Sequence, residues 1–392
     1  MADFYYQCVN CHRKWDANEF RYLCPDCSKE NSLDTPLKGV LYIHYDNQRV
    51  SKKQKWEDIL LSVWPLESKD SWPVLRIGHT PLYSFSKLEG KNLGFELLIK
   101  DESQNPSYSF KDRASALVSA YAKEQGIYTI VTASTGNAGS SLAAICASQN
   151  QKAIILLPKT APPAKMVQVQ MYGAELIRVD GNYDQAFADS IVFSEENGYL
   201  NRNTAYNPFT IEGKKSFSFE VFGQMNGAIP DIIFVSVGDG VIISGIYKGF
   251  EDLLKLGLID AMPLIIAVQA EGSANIIDNI DTDNPDFPES HTIADSISVN
   301  IPANFYMTLD YLKKYQSEGL KVNDNEIMKA AKMMATSFGV FAEPASAAAF
   351  AGFIKWKINH QIRKEAKVLV LHSGSGLKDI KAAQSYLKAS ND

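Results

Sequence analysis

Runs of apolar, largely β-branched residues recur at Glu96–Ile99, Tyr128–Thr132, Ala153–Leu157, Glu175–Val179, Ile232–Val237, Leu264–Gln269 and Lys367–Leu371. Their nearly continuous apolar character predicts strands buried on both faces. Between most of them the apolar residues fall at helical spacing, as in Tyr183–Ser194 and Asn325–Ser337. Strand and helix in alternation predict an α/β fold of parallel sheets covered by helices on both faces. No internal repeat or low-complexity segment interrupts the pattern. Two stretches break it. Asn201–Lys214, rich in polar and turn residues, is expected to cross between domains, and Asp278–His291, with two prolines, to form an exposed loop.

The chain has 392 residues, enough for two or three domains. Apolar residues make up 45% and charged residues 21%, ordinary for a folded protein, and the net charge of −6 disfavours a nucleic-acid coat or a polybasic membrane anchor. No apolar run approaches the ~18–20 residues of a membrane helix, and the first eight residues lack the profile of a secretion signal. A soluble, cytoplasmic enzyme with no nucleic-acid or membrane partner is expected.

Four of the five cysteines lie in the first 27 residues, as Cys8-x2-Cys11 and Cys24-x2-Cys27 with twelve residues between the pairs. Two such knuckles supply the tetrahedral sulfur set that zinc prefers. Two disulfides or a redox-active pair are the alternatives, the disulfides out of place in a reducing compartment. With all four positions filled by sulfur, the metal is closed to substrate and structural. Cys146, in an apolar helical stretch, reads as a small core residue.

The remaining chemistry is concentrated in five segments. In Asn105-Pro-Ser-Tyr-Ser-Phe-Lys-Asp-Arg113, Pro106 halts a strand, and Ser107 or Ser109 can cap a helix carrying Lys111 in its first turn. Lysine at a positive helix end, partly desolvated, loses proton affinity. A neutral amine is what a Schiff base with an aldehyde cofactor requires; a surface lysine is the plainer alternative. Thr132-Ala-Ser-Thr-Gly-Asn-Ala-Gly-Ser-Ser141 follows a strand and precedes a Leu142–Ser148 helix, so its hydroxyls, glycines and helix start can receive an anion. Val235-Ser-Val-Gly-Asp-Gly-Val-Ile-Ile-Ser-Gly245 has the same layout. Its glycine spacing excludes a dinucleotide fingerprint, and Ile246 in place of lysine excludes a triphosphate loop, while a monophosphate cofactor passes both tests. Asn207-Pro-Phe-Thr-Ile-Glu-Gly-Lys-Lys215 opens a helix with Glu212 in an early turn. In His372-Ser-Gly-Ser-Gly-Leu-Lys-Asp379, Ser373 can offer a hydroxyl to a ring nitrogen, though a glycine turn explains the spacing equally well.

Ser109–Arg113, Ser134–Ala138, Glu212–Lys215 and Ser373–Asp379 together resemble the pyridoxal-phosphate enzymes of fold type II, and among them the threonine synthases most. Gly78-His-Thr-Pro-Leu82, Pro158 through Gln168 and Glu343-Pro-Ala-Ser346 add to the likeness, which spans about residues 75–385. Some threonine synthases carry an amino-terminal zinc ribbon. The resemblance implies two three-layer α/β/α domains with the cofactor in the cleft between them, plus the small ribbon. Boundaries are expected at 1–40 for the ribbon, 41–90 with 215–392 for the larger domain, and 91–214 for a smaller, mobile one. Lys111 would carry the cofactor as a Schiff base and shuttle protons. Asn137 would reach the cofactor's phenolic oxygen, Gly238, Asp239, Gly240, Val241 and Ile242 would cup its phosphate, and Ser373 would face its pyridine nitrogen. Ser134, Thr135 and Gly136 would hold the substrate carboxylate, and Lys165 the substrate phosphate. Pyridoxal phosphate and structural zinc on Cys8, Cys11, Cys24 and Cys27 are the implied cofactors. The implied partner is a small phosphorylated amino acid, and the implied assembly a homodimer.

Three departures bear on the substrate. Tyr108 stands where the family usually has glycine, and is expected to crowd or redirect the site. Asp239 places a carboxylate in the phosphate cup, and Val241 and Ile242 replace a common glycine and asparagine. Cysteate synthase, threonine or serine dehydratases and diaminopropionate-handling enzymes share the fold, though the chain ends too soon after Asp379 for a dehydratase's regulatory domain. A zinc-ribbon regulatory protein with an inactive enzyme body is the non-enzyme alternative.

Overall fold

The structure, a computed structural model, describes residues 4–46, 50–161 and 163–389, with the side chains of 163–165 excepted. Strands β1 (Phe4–Cys8), β2 (Lys14–Asp16) and β3 (Leu41–Tyr45) form an antiparallel sheet in the order β2-β1-β3. Phe4, Tyr6 and Cys8 alternate inward, as a strand covered on one side requires. This ribbon is docked on the body by aromatic contacts. Tyr22 stacks on Tyr206 at 4.5 Å, and Phe20 stands edge-on to Phe209 at 5.1 Å.

Next come β4 (Leu82–Leu88) and β5 (Lys91–Asp101), then a separate parallel sheet of β6 (Thr129–Ala133), β7 (Lys152–Pro158), β8 (Glu175–Val179) and β9 (Leu200–Asn201), ordered β8-β7-β6-β9. The later strands β10 (Ile232–Ser236), β11 (Leu264–Ala270), β12 (Gly319–Val322) and β13 (Lys367–His372) join β4 and β5. That six-stranded sheet runs β12-β11-β10-β13-β5-β4, with only the edge strand β4 antiparallel. Ile233, Val235 and Leu369 face helices Phe209–Gln224 and Val241–Lys255, whereas Phe234, Ile266 and Val370 face helices Asp324–Phe338 and Pro344–Asn359. The two-residue period thus divides each strand between two cores, giving three layers.

The boundary expected at residue 91 is corrected by this pairing. β5 lies in register with β13 from Glu96↔Lys367 to Asp101↔His372, so it belongs to the larger sheet. The reason is local. Glu89 and Gly90 both take positive φ, 48° and 79°, the geometry of a tight hairpin that keeps β5 beside β4. The crossing between sheets is also shorter than expected, because helix Phe209–Gln224 starts directly after Pro208. The loop around Asp281–Glu289 is exposed, as anticipated, but is tethered by Asn279, whose side chain bonds Asp286 through its carbonyl and amide. No helix among the described residues is long and apolar enough to cross a membrane.

Candidate active site

Lys111 sits at the cap of helix Asp112–Glu124, one position before its first turn. Neither Ser107 nor Ser109 caps that helix. Ser107 instead donates its backbone N–H to the Asp112 carboxylate at 2.7 Å, and Ser109 Oγ is buried without a partner among the described residues. Tyr108 does not crowd the site: its backbone is left-handed at φ 69°, and its ring is half exposed, outside the pocket. A left-handed backbone at that position is the physical reason glycine suits it. Burial lowers the proton affinity of the Lys111 amine, assisted by Arg202 and opposed by Asp239 and Glu343.

The pocket around Lys111 is lined by Ser109, Asn137, the Gly238–Ile243 turn, Glu343 and Ser373. The turn is shaped by exclusion. A Cβ at Gly238 would lie 2.9 Å from Ile297 Cα, and one at Gly240, where φ is +84°, 2.0 Å from Thr308 Oγ1. Helix Val241–Lys255 starts there, aiming its free N–H groups into the same space. Asn304, which the sequence reading passed over, braces the turn from behind: its amide donates to Ser244 Oγ at 2.8 Å, and its N–H to Asp239 O at 3.2 Å.

A second, adjoining chamber is lined by Lys111, Ser134, Thr135, Gly136, Asn182, Asp184 and Asp239. Helix Asn137–Ser148 begins five residues earlier than expected, so the hydroxyl loop runs straight into a helix amino terminus. Ser134 spends its hydroxyl locally, accepting from Gly136 N at 3.2 Å and Gly139 N at 2.9 Å. Asn137 donates to Glu343 Oε1 at 2.9 Å and Ser296 Oγ at 3.3 Å. Glu343 is buried, and burial raises its pKa. Three cationic side chains, Lys111, Lys214 and Arg202, stand close enough to influence Asp239, whose pKa burial raises against their pull. Lys214 and Arg202 are fully buried, and Arg202 Nη2 has no partner among the described residues. Arg202 carries no sequence signal, and Lys214 was visible only as part of Glu212–Lys215, because nothing local shows that they are inside. Lys165 lies in helix Pro163–Met171, but its side chain falls outside the described residues.

A family model for "Pyridoxal-phosphate dependent enzyme" matches residues 74–374, the whole span that builds these two chambers. The chain belongs to this family. It is 34% identical over 391 residues to a threonine synthase of Methanocaldococcus jannaschii, covering 96% of this chain and 93% of that one. A threonine synthase of Bacillus sp. is 36% identical over 320 residues, covering 81% and 88%. A solved structure of tomato threonine deaminase isoform 2 shares the fold, with a TM-score of 0.69 at 22% identity, over 85% of this chain and 92% of that one. The expected α/β fold and the reading as a pyridoxal-phosphate-dependent lyase are thereby borne out. The residues present fit the family's cofactor: a buried amine, a glycine cradle a methyl group would fill, and the orphaned Ser109 hydroxyl share one pocket.

At the other end of the chain the ligand atoms of Cys8, Cys11, Cys24 and Cys27 lie within 4.8 Å of one another. Cys8–Cys27 and Cys11–Cys24 sulfurs are each 3.8 Å apart, too far for a disulfide. A tetrahedron with metal–sulfur bonds of about 2.3 Å has edges of about 3.8 Å. The Ser32–Leu37 loop beyond the cluster lines a cleft shared with Tyr183, Asp184 and Asp239, so the ribbon forms one wall beside the active site.

Proposed function

We propose that this family member is a threonine synthase, converting O-phosphohomoserine and water to threonine and phosphate. The observation that carries the reading is the juxtaposition of the Lys111 amine with a glycine turn at a helix start and a hydroxyl loop at another. Its full-length similarity to threonine synthases supports it. Lys111 would hold the cofactor, the N–H groups of Gly238 through Ile242 its phosphate, Asn137 its phenolic oxygen, and Ser373 its ring nitrogen. When bound, the cofactor supplies an electron-withdrawing ring that acidifies the substrate's α- and β-carbons. Lys111, its proton affinity lowered by burial, takes the α-proton and later returns it. Thr135 and Gly136, at the start of helix Asn137–Ser148, orient the substrate carboxylate. Ser134 holds that loop in shape through its two N–H acceptances. Lys165 remains the candidate for the substrate phosphate. Zinc held by Cys8, Cys11, Cys24 and Cys27 would fix the ribbon.

Incubation with O-phosphohomoserine, threonine, serine and O-phosphoserine in parallel tests the reading. Phosphate released in step with threonine is the expected result. Ammonia and a keto acid from threonine or serine, without threonine formation, would assign a dehydratase. Sulfite consumed with O-phosphoserine would assign cysteate synthase.

A further inference from the structure

Behind the cofactor pocket lies a group of side chains that no step above uses. The parallel register of β5 and β13 sets Asp101 directly opposite His372. His372 Nε2 is 3.3 Å from Asp101 Oδ1, and its Nδ1 is 2.7 Å from Ser346 Oγ, near the start of helix Pro344–Asn359. Ser373 N–H donates to that same Ser346 oxygen at 2.8 Å. Asp101, His372 and Ser346 are all buried, at 4%, 1% and 0% exposure.

A neutral ring that turns its one N–H towards the Asp101 carboxylate leaves Nδ1 as an acceptor for the Ser346 hydroxyl. Because Ser346 Oγ accepts from Ser373 N–H, its own proton is free to go to His372 Nδ1. Burial favours the neutral ring this requires. Asp101 is itself fixed, accepting from Ser103 N at 3.1 Å, Ser103 Oγ at 2.6 Å and Gln104 Nε2 at 3.3 Å. At the other end Ser373 O accepts from Phe110 N–H at 2.8 Å, the residue before Lys111. The stretch that follows, Gly374-Ser-Gly376, is tied down by backbone bonds from Ser375 N–H to Tyr108 O at 3.1 Å, Glu343 N–H to Gly374 O at 3.2 Å and Gly376 N–H to Phe341 O at 2.8 Å, so the chain acts on Ser373 itself.

We propose that His372, its ring facing the Asp101 carboxylate, accepts from Ser346 and so forms a one-way polar chain that positions Ser373, and through Phe110 the Lys111 segment, against the cofactor ring. They touch no reacting atom and are positioning residues. The proposal rests on the cofactor seat described above, not on the identity of the substrate.

The test strips the full-length protein of cofactor and titrates it with pyridoxal phosphate, following the affinity and the absorbance band. His372→Asn keeps an acceptor close to the Nδ1 position and so preserves the link to Ser346. His372→Gln puts its amide near Asp101 and leaves Ser346 without an acceptor. Ser346→Ala, a small change unlike the histidine substitutions, removes the middle link. His372→Gln and Ser346→Ala are expected to weaken binding about tenfold, the worth of one hydrogen bond of about 1.4 kcal/mol, and to shift the band. His372→Asn should stay within about threefold of the parent protein. Equal weakening by the asparagine and glutamine variants would overturn the chain, as would an unchanged affinity and band in Ser346→Ala. A parent protein that binds no pyridoxal phosphate would overturn the seat itself, and the chain with it.

Discussion

Replacing Gly240 by alanine probes the glycine turn on which the cofactor seat depends. The residue has φ +84°, and a Cβ would meet Thr308 Oγ1 at 2.0 Å and Thr308 Cβ at 3.0 Å. Left-handed backbone costs an L residue roughly 1–2 kcal/mol, and forcing extra atoms into a packed site roughly 1–3 kcal/mol more. Thr308 has little freedom to yield, being fully buried with its hydroxyl bonded to Asn304 O at 2.8 Å. Gly240→Ala should therefore lose about 2–5 kcal/mol. Gly257 is the control, since its φ is +68° but nothing lies within 4 Å of the built Cβ. Gly257→Ala should lose only about 1–2 kcal/mol. Urea unfolding of the cofactor-free proteins measures both, and a pyridoxal phosphate titration reports the seat. Adding Thr308→Ala to Gly240→Ala should cost at least about 1 kcal/mol less than it does alone, because the clashing hydroxyl is gone. If Gly240→Ala is no worse than Gly257→Ala and binds the cofactor unchanged, the reasoning about the turn is wrong.

Three further outcomes are expected. Lys111→Ala should abolish the visible band that pyridoxal phosphate gives with the parent protein; a band retained and trapped by borohydride on another lysine would refute the assignment. Burial alone would raise the pKa of Glu220, but Arg113 and Lys100 outweigh it and hold it at about 2, against an ordinary 4.5. A carboxylate held low stabilises the fold above its unfolded value. On the order of 3 kcal/mol should thus be present above pH 4.5 and lost as pH falls towards 2. Urea midpoints at stepped pH measure this, and Glu220→Gln should remove that dependence while destabilising the protein at neutral pH, with two buried cations left short of a partner. Stoichiometric zinc should be found by atomic emission and disappear in Cys24→Ala, whose thiol is fully buried, with a Tm several degrees lower. A zinc-free protein at the parent's Tm would contradict the metal reading.

Much of the site was legible because its chemistry is local. Lys111, Gly238 and Gly240 lie in short motifs whose function depends on residues a few positions away, such as a glycine before a helix start. Glu343 was visible only as part of Glu343-Pro-Ala-Ser346. Its place as the acceptor for Asn137, 206 residues earlier, has no local signature. Arg202 reads as an ordinary cation and Lys214 as a member of Glu212–Lys215 with no role of its own, since burial of a polar side chain depends on what packs over it.

The sequence by itself marked seven of the strands and the parallel α/β character of their sheets, and offered segments where a monophosphate and four sulfurs could be held. Apolar runs report burial, and glycine reports backbone need, with no knowledge of partners. Tertiary structure alone decided that β5 joins β13 instead of the four-stranded sheet, and that Tyr108 turns outward. It also decided that Asp101, His372 and Ser346 meet behind Ser373. Pairing and convergence are settled by contacts between residues far apart in the chain, and no local pattern of polarity encodes which distant surface each segment will meet.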